Sequence, residues 1–279
     1  MQTDHATTET QLYDSRGRGP VALEELQGLF KYRDLIFQLV RRDLVSRYKR
    51  SLLGIAWTML NPLGTMVVMT VVFSQLFHAV PGYPAYILSG LIAWTFFAQT
   101  TSASMAQMVW GSSLLNRIYM PRTALVVSAI GTGLVNITLS LVPLFLITVV
   151  VGLPLRWTIL FLPVSALLLA SFALGVGLVL SAWAIYFPDV SEMYAVGLTA
   201  WFYLTPIIYP LRTIPDTYSF WFYHLNPMYY LIQIFRKPIY EGVLPGLPLL
   251  AAGTLIALFT LTFGWLVFCS RADEFAYRV

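Results

Sequence analysis

Charge is scarce in this 279-residue chain: Asp, Glu, Lys and Arg together make up 11% of it. Six long stretches, 52–77, 85–109, 123–151, 158–187, 191–209 and 247–270, hold no ionisable side chain apart from Glu192 at the edge of the fifth. With no acid or base inside them, these stretches cannot bind a coupling proton or perform acid–base chemistry at membrane depth. The protein's work is therefore powered or performed elsewhere, by a partner. Cysteine is limited to Cys269, which excludes a disulfide framework or a cysteine-held metal and leaves an inert thiol. Histidine is limited to His5, His78 and His224, too dispersed for a metal site. No G-x-x-x-x-G-K-[ST] loop occurs, so the chain has no phosphate-cradling ATP site of its own. No G-x-S-x-G nucleophile turn occurs either. No catalytic residue, bound cofactor or metal is expected, and the chain does not read as an enzyme. Residues 1–26 lack the apolar core and cleavage site of a secretory signal and read as a flexible cytoplasmic tail.

What is present is apolar. A hydrophobic content of 58% and a mean hydropathy of +0.71 place the chain among polytopic membrane proteins. Most of the stretches reach the ~20 residues that cross a hydrocarbon core as a helix. The expected fold is an all-α domain of six transmembrane helices over 51–279, with a short cytoplasmic C-terminus. Thirteen Lys and Arg lie before the first span, in the second connection or in the C-terminal tail. Four (Arg156, Arg212, Arg236 and Lys237) lie in the intervening connections. That bias puts both termini in the cytoplasm, which agrees with an even number of spans.

Residues 27–50 read as an N-terminal amphipathic helix. Leu29, Phe30, Ile36, Phe37, Val40, Leu44 and Tyr48 recur at three- and four-residue steps, opposite Lys31, Asp34, Gln38, Arg41, Arg42 and Lys49. Such a helix lies in the membrane interface, or serves only as a positive-inside anchor. In the connection 110–122, Ser112 or Ser113 can cap a short helix carrying Leu114, Leu115 and Ile118, before Pro121 opens the third span. A soluble partner could grip such a helix; a plain interfacial turn is the alternative. Gly131-x-Gly133, and Ser171-x-x-x-Gly175 continued by Gly177 and Ser181, are small faces suited to close helix packing. Pro143, Pro163 and Pro206 bend or end their helices. Between Pro210 and Pro245, two apolar pieces (216–226 and 228–240) break at Asn226-Pro227. Each is too short to cross and reads as a re-entrant or interfacial helix. Their many aromatic rings form an interfacial belt or line an exit.

The run from Tyr48 to Leu63, YKRSLLGIAWTMLNPL, resembles the signature of polysaccharide-export ABC transporter permeases. These are the membrane subunits that move O-antigen, capsule or teichoic-acid polymers. The likeness continues by order and spacing over about residues 27–275, through the N-terminal helix, Pro121-Arg122 and the two aromatic broken helices. It implies a homodimer in the bacterial cytoplasmic (inner) membrane, joined to two copies of a separate ATPase that binds ATP and Mg. Docking would use the N-terminal helix and the second connection, through Arg41, Arg42, Ser113, Leu115, Arg117 and Arg122. The implied substrate is a polymer on an undecaprenyl-type lipid diphosphate, entering from the inner leaflet at the Leu53-Gly54 turn. Arg47, Lys49 and Arg50 would meet the diphosphate at head-group level, or act as topological anchors alone. Trp57, Trp201, Tyr203, Trp221 and Tyr230 are candidate ring contacts along the route. A permease for small amphipathic drugs or lipids shares this layout and is the alternative. A secondary transporter or channel would need paired ionisable or unwound polar stretches at mid-membrane. The spans offer only isolated polar groups such as Gln99, Gln107 and Asn136.

Overall fold

The computed structural model describes residues 21–49, 53–54, 56–110, 120–187 and 189–271, and the regular structure among them is entirely helical. Helices α1 (Val21–Lys31) and α2 (Arg33–Tyr48) precede α3 (Ala56–Phe73), α4 (Tyr83–Trp110) and α5 (Thr123–Val150). A 3-10 turn at Trp157–Phe161 leads into α6 (Leu162–Tyr186), followed by α7 (Val190–Leu204), α8 (Pro227–Arg236) and α9 (Leu247–Arg271). Asp216–Ser219 forms a single turn, and wider π-type turns follow it at Phe220–His224 and end α8 at Lys237–Glu241.

A helix stands at each of the six expected spans. Four of the described helices are long and apolar enough to cross a membrane: α3, α5, α6 with its 3-10 turn, and α9. The 28 residues of α4 give it the length, but its Ser, Thr and Gln side chains dilute its hydropathy. At 15 residues, α7 reaches only ~22 Å, short of a ~30 Å hydrocarbon core.

Three expectations need correction. The fifth stretch is helical only to Leu204, and Thr205 is extended (φ −99, ψ 131). Pro206 explains this, because it lacks an amide donor and its ring drives the preceding residue out of the helical region. The N-terminal helix is not one amphipathic rod from residue 27. It begins at Val21 and breaks at Tyr32 (φ −101, ψ 21). Its apolar residues divide: Leu29, Leu35, Ile36 and Leu39 pack inward, while Phe30 and Phe37 stay exposed. Finally, an ionisable group is buried. Arg236 is 1% exposed, because the apolar face of α8 (Met228, Leu231, Ile232 and Phe235) draws that helix into the bundle rather than leaving it in an outer connection.

The hub is α4. Ile87, Leu91 and Phe97 of α4 share one apolar cluster with Leu144 of α5, Phe172 of α6, Phe235 of α8 and Ala257 of α9. A second cluster near the other end of α4 joins Met108 to Leu39 of α2, Leu125, Leu178 and Phe268. The small faces pack as read. Gly133 lies against Thr100 and Phe96, and a methyl on Gly175 or Gly264 would run into the facing helix's backbone. Helices approach this closely in lipid only where side chains are absent.

Candidate functional site

A cavity of about 640 Å³ opens between α2, α3, α4 and α5, at the end of the bundle where α3 begins and α4 ends. Its polar lining follows helical spacing. Thr58 and Asn61 come from α3, Thr95, Gln99 and Gln107 from α4, and Thr132, Asn136 and Ser140 from α5. Steps of three and four residues put each set on one helix face. Asp43, Ser46 and Gly54 border the cavity beside the N-terminal helices, and Trp57 and Phe96 add aromatic surface. Among the described residues of this lining, Asp43 is the one that carries a charge.

The hydroxyls of Thr100, Thr132 and Ser140 donate to their own helices, at Phe96 O (2.7 Å), Ser128 O (3.0 Å) and Asn136 O (2.9 Å). That leaves their oxygen lone pairs as acceptors. The side-chain amides of Asn61 and Gln99 hydrogen-bond to no other described residue, so they add both donors and acceptors. The wall is chemically a hydroxyl- and amide-lined surface with two aromatic rings, half-exposed Trp57 and buried Phe96.

Two carboxylates fasten the N-terminal helices over this end. Asp43 accepts from Gln107 Nε2, and Gln107 Oε1 in turn accepts from Ser128 (2.9 Å). Arg42 donates to the same Asp43 from Nη2 at 2.8 Å. Glu25 on α1 accepts from the Thr123 hydroxyl at 2.7 Å. Trp265 Nε1 donates to Ala22 O at 3.3 Å, which ties α1 to α9. The two clasps therefore grip the last turn of α4 and the first residue of α5.

The expected site residues are dispersed. Gly54 borders the cavity with φ +46, a left-handed conformation that glycine adopts without strain. Leu53 beside it is 50% exposed. Lys49 follows α2 and is exposed, and Arg47 lies on α2. Arg41 and Arg42 are exposed on α2, and Arg122 immediately precedes α5 without a side-chain capping bond. Arg50, Ser113, Leu115 and Arg117 fall outside the described residues.

Of the five aromatic candidates, only Trp57 meets the cavity. Trp201 packs edge-on against Trp94 (6.0 Å) and Phe97 (5.2 Å), and its Nε1 donates to Asn226 Oδ1 (2.9 Å). Tyr203 lies against Phe202, Trp221 against Phe220 and Tyr230 against Tyr229, each in an edge contact. Residues that read as isolated in the sequence, Gln99, Gln107 and Asn136, converge on one space. Their signal was present as Thr95–Gln99–Ala103–Gln107 and Thr132–Asn136–Ser140, two stripes of period four.

Residues 34–240 match the model of the ABC-2 type transporter family. The chain is 32% identical over 253 residues to an O-antigen export system permease protein, RfbA, of Myxococcus xanthus. That alignment covers 90% of this chain and 97% of the relative. An RfbA of Klebsiella pneumoniae is 27% identical over 216 residues (76% and 82% covered). The polysialic acid transport protein KpsM of Escherichia coli is 26% identical over 238 residues (79% and 88%). With a helical bundle, apolar helices of membrane-spanning length and this match over most of its length, the chain belongs to the ABC-2 type transporter membrane family, as an ABC transporter permease homologous to O-antigen and polysialic acid export permeases.

Proposed function

We propose that this chain is the membrane subunit of an ATP-driven exporter that moves a lipid-linked, O-antigen-like polysaccharide across the bacterial cytoplasmic membrane. Six spans, with both termini in the cytoplasm, form half of a homodimer, and each copy docks one copy of a separate ATPase that carries ATP and Mg. Docking uses Arg41, Arg42 and Arg122 together with Ser113, Leu115 and Arg117. The lipid diphosphate enters beside Arg47, Lys49 and Arg50, at the Leu53-Gly54 turn.

The observation that carries this reading is the cavity. Its amides, hydroxyl oxygens and single exposed indole suit a hydroxyl-rich chain, since sugars offer both hydrogen-bonding groups and a flat apolar face. A small amphipathic drug would favour a mostly apolar pocket with few polar groups. Among the described lining residues the charged side chain is an acid, Asp43, which suits a neutral glycan better than an anionic diphosphate, so on this reading the head group stays outside the cavity and the glycan lies within.

A tagged pull-down from native membranes, with partners counted by mass spectrometry, tests the assembly. The expected result is an ATPase in equal copy number with this chain. Purification as a homo-oligomer with no ATPase would overturn the exporter class. For the substrate, Asn61→Leu with Gln99→Leu and Trp57→Ala are expected to reduce surface polymer at unchanged protein level and ATPase binding. Normal export from all three would remove the cavity from the route.

A further inference from the structure

Seven consecutive carbonyls, from Tyr203 to Tyr209, lie where α7 ends and the chain becomes extended, and each accepts a hydrogen bond. Tyr209 Oη donates to Tyr203 O (2.7 Å), Asn226 Nδ2 to Leu204 O (3.3 Å) and the Ile207 amide to Thr205 O (2.7 Å). Arg236 Nη1 and Nη2 take Pro206 O (3.2 Å) and Ile207 O (3.1 Å). Tyr83 and Tyr86 hydroxyls take Ile208 O (2.9 Å) and Tyr209 O (3.0 Å). Thr205, Pro206, Ile207 and Ile208 are buried. Non-helical backbone at membrane depth persists only where its polar groups are satisfied within the protein. This segment is a strap, fixed along its length by side chains from α4 and α8.

Arg236 is the strap's central tie. Its guanidinium carbon lies 3.8 Å from the Tyr86 ring centroid, and a methyl on Gly90 would collide with its Nη2. Gly90 is about 10 Å along α4 from Tyr83, so the cation sits within the bundle rather than at its rim. Glu241 is paired with Lys237 at 2.7 Å, and among the described residues no carboxylate bonds to Arg236. A buried cation at this depth is retained for a particular task. The task visible here is to hold two adjacent carbonyls with one planar fork, which a lysine cannot reproduce.

The helix leading into the strap is held quite differently. No residue of α7 is buried. Beyond Val190 at its start, only Tyr194, Leu198, Trp201 and Phe202 are part-buried, a single stripe at helical spacing. A methyl on Gly197 would meet nothing within 4 Å. Near its first turns, the Thr101–Tyr194 hydroxyl pair at 2.7 Å ties it to α4.

We propose that the 203–209 strap is a fixed pivot for α7, with Arg236 as the residue that positions it, so that α7 swings from its far end while its strap end stays in place. The test reads distances within one copy of the chain by electron spin resonance, in lipid nanodiscs. Cys269 is changed to Ser, cysteines are introduced in pairs for labelling, and excess unlabelled chain dilutes the sample. Exposed Val142 on α5 is the reference, paired with Thr213 just past the strap or with Val196 on α7.

The expected outcome is a narrow Val142–Thr213 distribution and a Val142–Val196 distribution about twofold broader. Equal widths would overturn the pivot. Arg236→Met is expected to broaden the Thr213 distribution to that of Val196, and Arg236→Lys to broaden it in part. An unchanged width in both would remove Arg236 from the role. If Arg236→Met does not fold, Tyr86→Phe releases the Tyr209 carbonyl alone and is expected to broaden the same pair; no change would count against the strap. These widths need neither ATPase nor polymer, so the pivot and the exporter assignment fail separately.

Discussion

Replacing Asp43 tests the clasp between α2 and α4 in isolation. The carboxylate is only 19% exposed, and the Gln107 amide that it engages also holds the hydroxyl of fully buried Ser128. A hydrogen bond to a charged group contributes about 1.5–3 kcal/mol. The Arg42 pair is half-exposed, at 52% on the arginine side, and adds at most about 1 kcal/mol. Asp43→Ala should therefore cost about 2–3 kcal/mol, lowering Tm by roughly 4–12 °C for a protein of this size. Asp43→Asn keeps an oxygen that Gln107 can reach and should cost about 1 kcal/mol.

The decisive experiment is a double-mutant cycle followed by tryptophan fluorescence on heating. Gln107→Leu alone removes the same bond, so the double variant should be little worse than Asp43→Ala, with a coupling energy of about 1.5–3 kcal/mol. Additive losses would refute the reasoning, and so would Asp43→Asn falling as far as Asp43→Ala.

Other consequences can be read the same way. Thr123→Val keeps the shape of a fully buried residue but removes the donor to Glu25. It should destabilise by about 1.5–3 kcal/mol, while Thr123→Ser stays near wild type; equal melting curves for the two would exclude the clasp. Gly264→Ala drives a methyl into the Gly175 carbonyl and should cost about 1–3 kcal/mol. Gly197→Ala, facing open space on a helix, should instead gain up to about 1 kcal/mol; opposite shifts in Tm are the expected reading. Asn226 caps α8 through Met228 N (3.1 Å) and also holds Trp201 Nε1. Asn226→Ala should lose about 1 kcal/mol for the cap and a further 1–3 for the unpaired indole. Near-UV circular dichroism at the tryptophan bands should change with it, and an unaltered spectrum would contradict the Trp201 contact.

The helices were legible because long uncharged runs have one interpretation in a membrane protein, and Pro121, Pro163 and Asn226-Pro227 punctuate them at the observed boundaries. The family was legible from Tyr48–Leu63. Less visible were features that depend on which residues meet. Arg236 looks like one more basic residue of an outer connection, and nothing in its neighbourhood announces that two carbonyls about thirty residues earlier and the Tyr86 ring, far earlier in the chain, meet it. The break at Tyr32 has no proline or glycine to signal it. The cavity was half-visible. Its period-four stripes lie in plain sequence, but Ser and Thr in a membrane helix satisfy themselves on the preceding turn, so a stripe of them indicates a shared face without saying what that face adjoins.

The two ends of the bundle use polar groups in opposite ways, and the contrast bears on where recognition can occur. Around the 203–209 strap, each carbonyl has a protein donor, and the Arg236 fork is spent on two of them. A ligand would gain little there without first displacing a protein contact, and each displaced group would carry a desolvation cost of about 1–3 kcal/mol. Around the 640 Å³ cavity the arrangement is reversed. Asn61 and Gln99 present amides that no described residue engages, and the hydroxyls have lone pairs left over. Such groups are tolerable in a membrane bundle only with water or a polar ligand against them. A hydroxylated chain replacing that water would exchange one set of hydrogen bonds for another of similar strength, so it could be held without being trapped. Passage requires that balance, because a site that binds too well does not release. The strap end, whose seven carbonyls each have a donor within the protein, would on the proposed reading supply the fixed geometry against which such passage takes place.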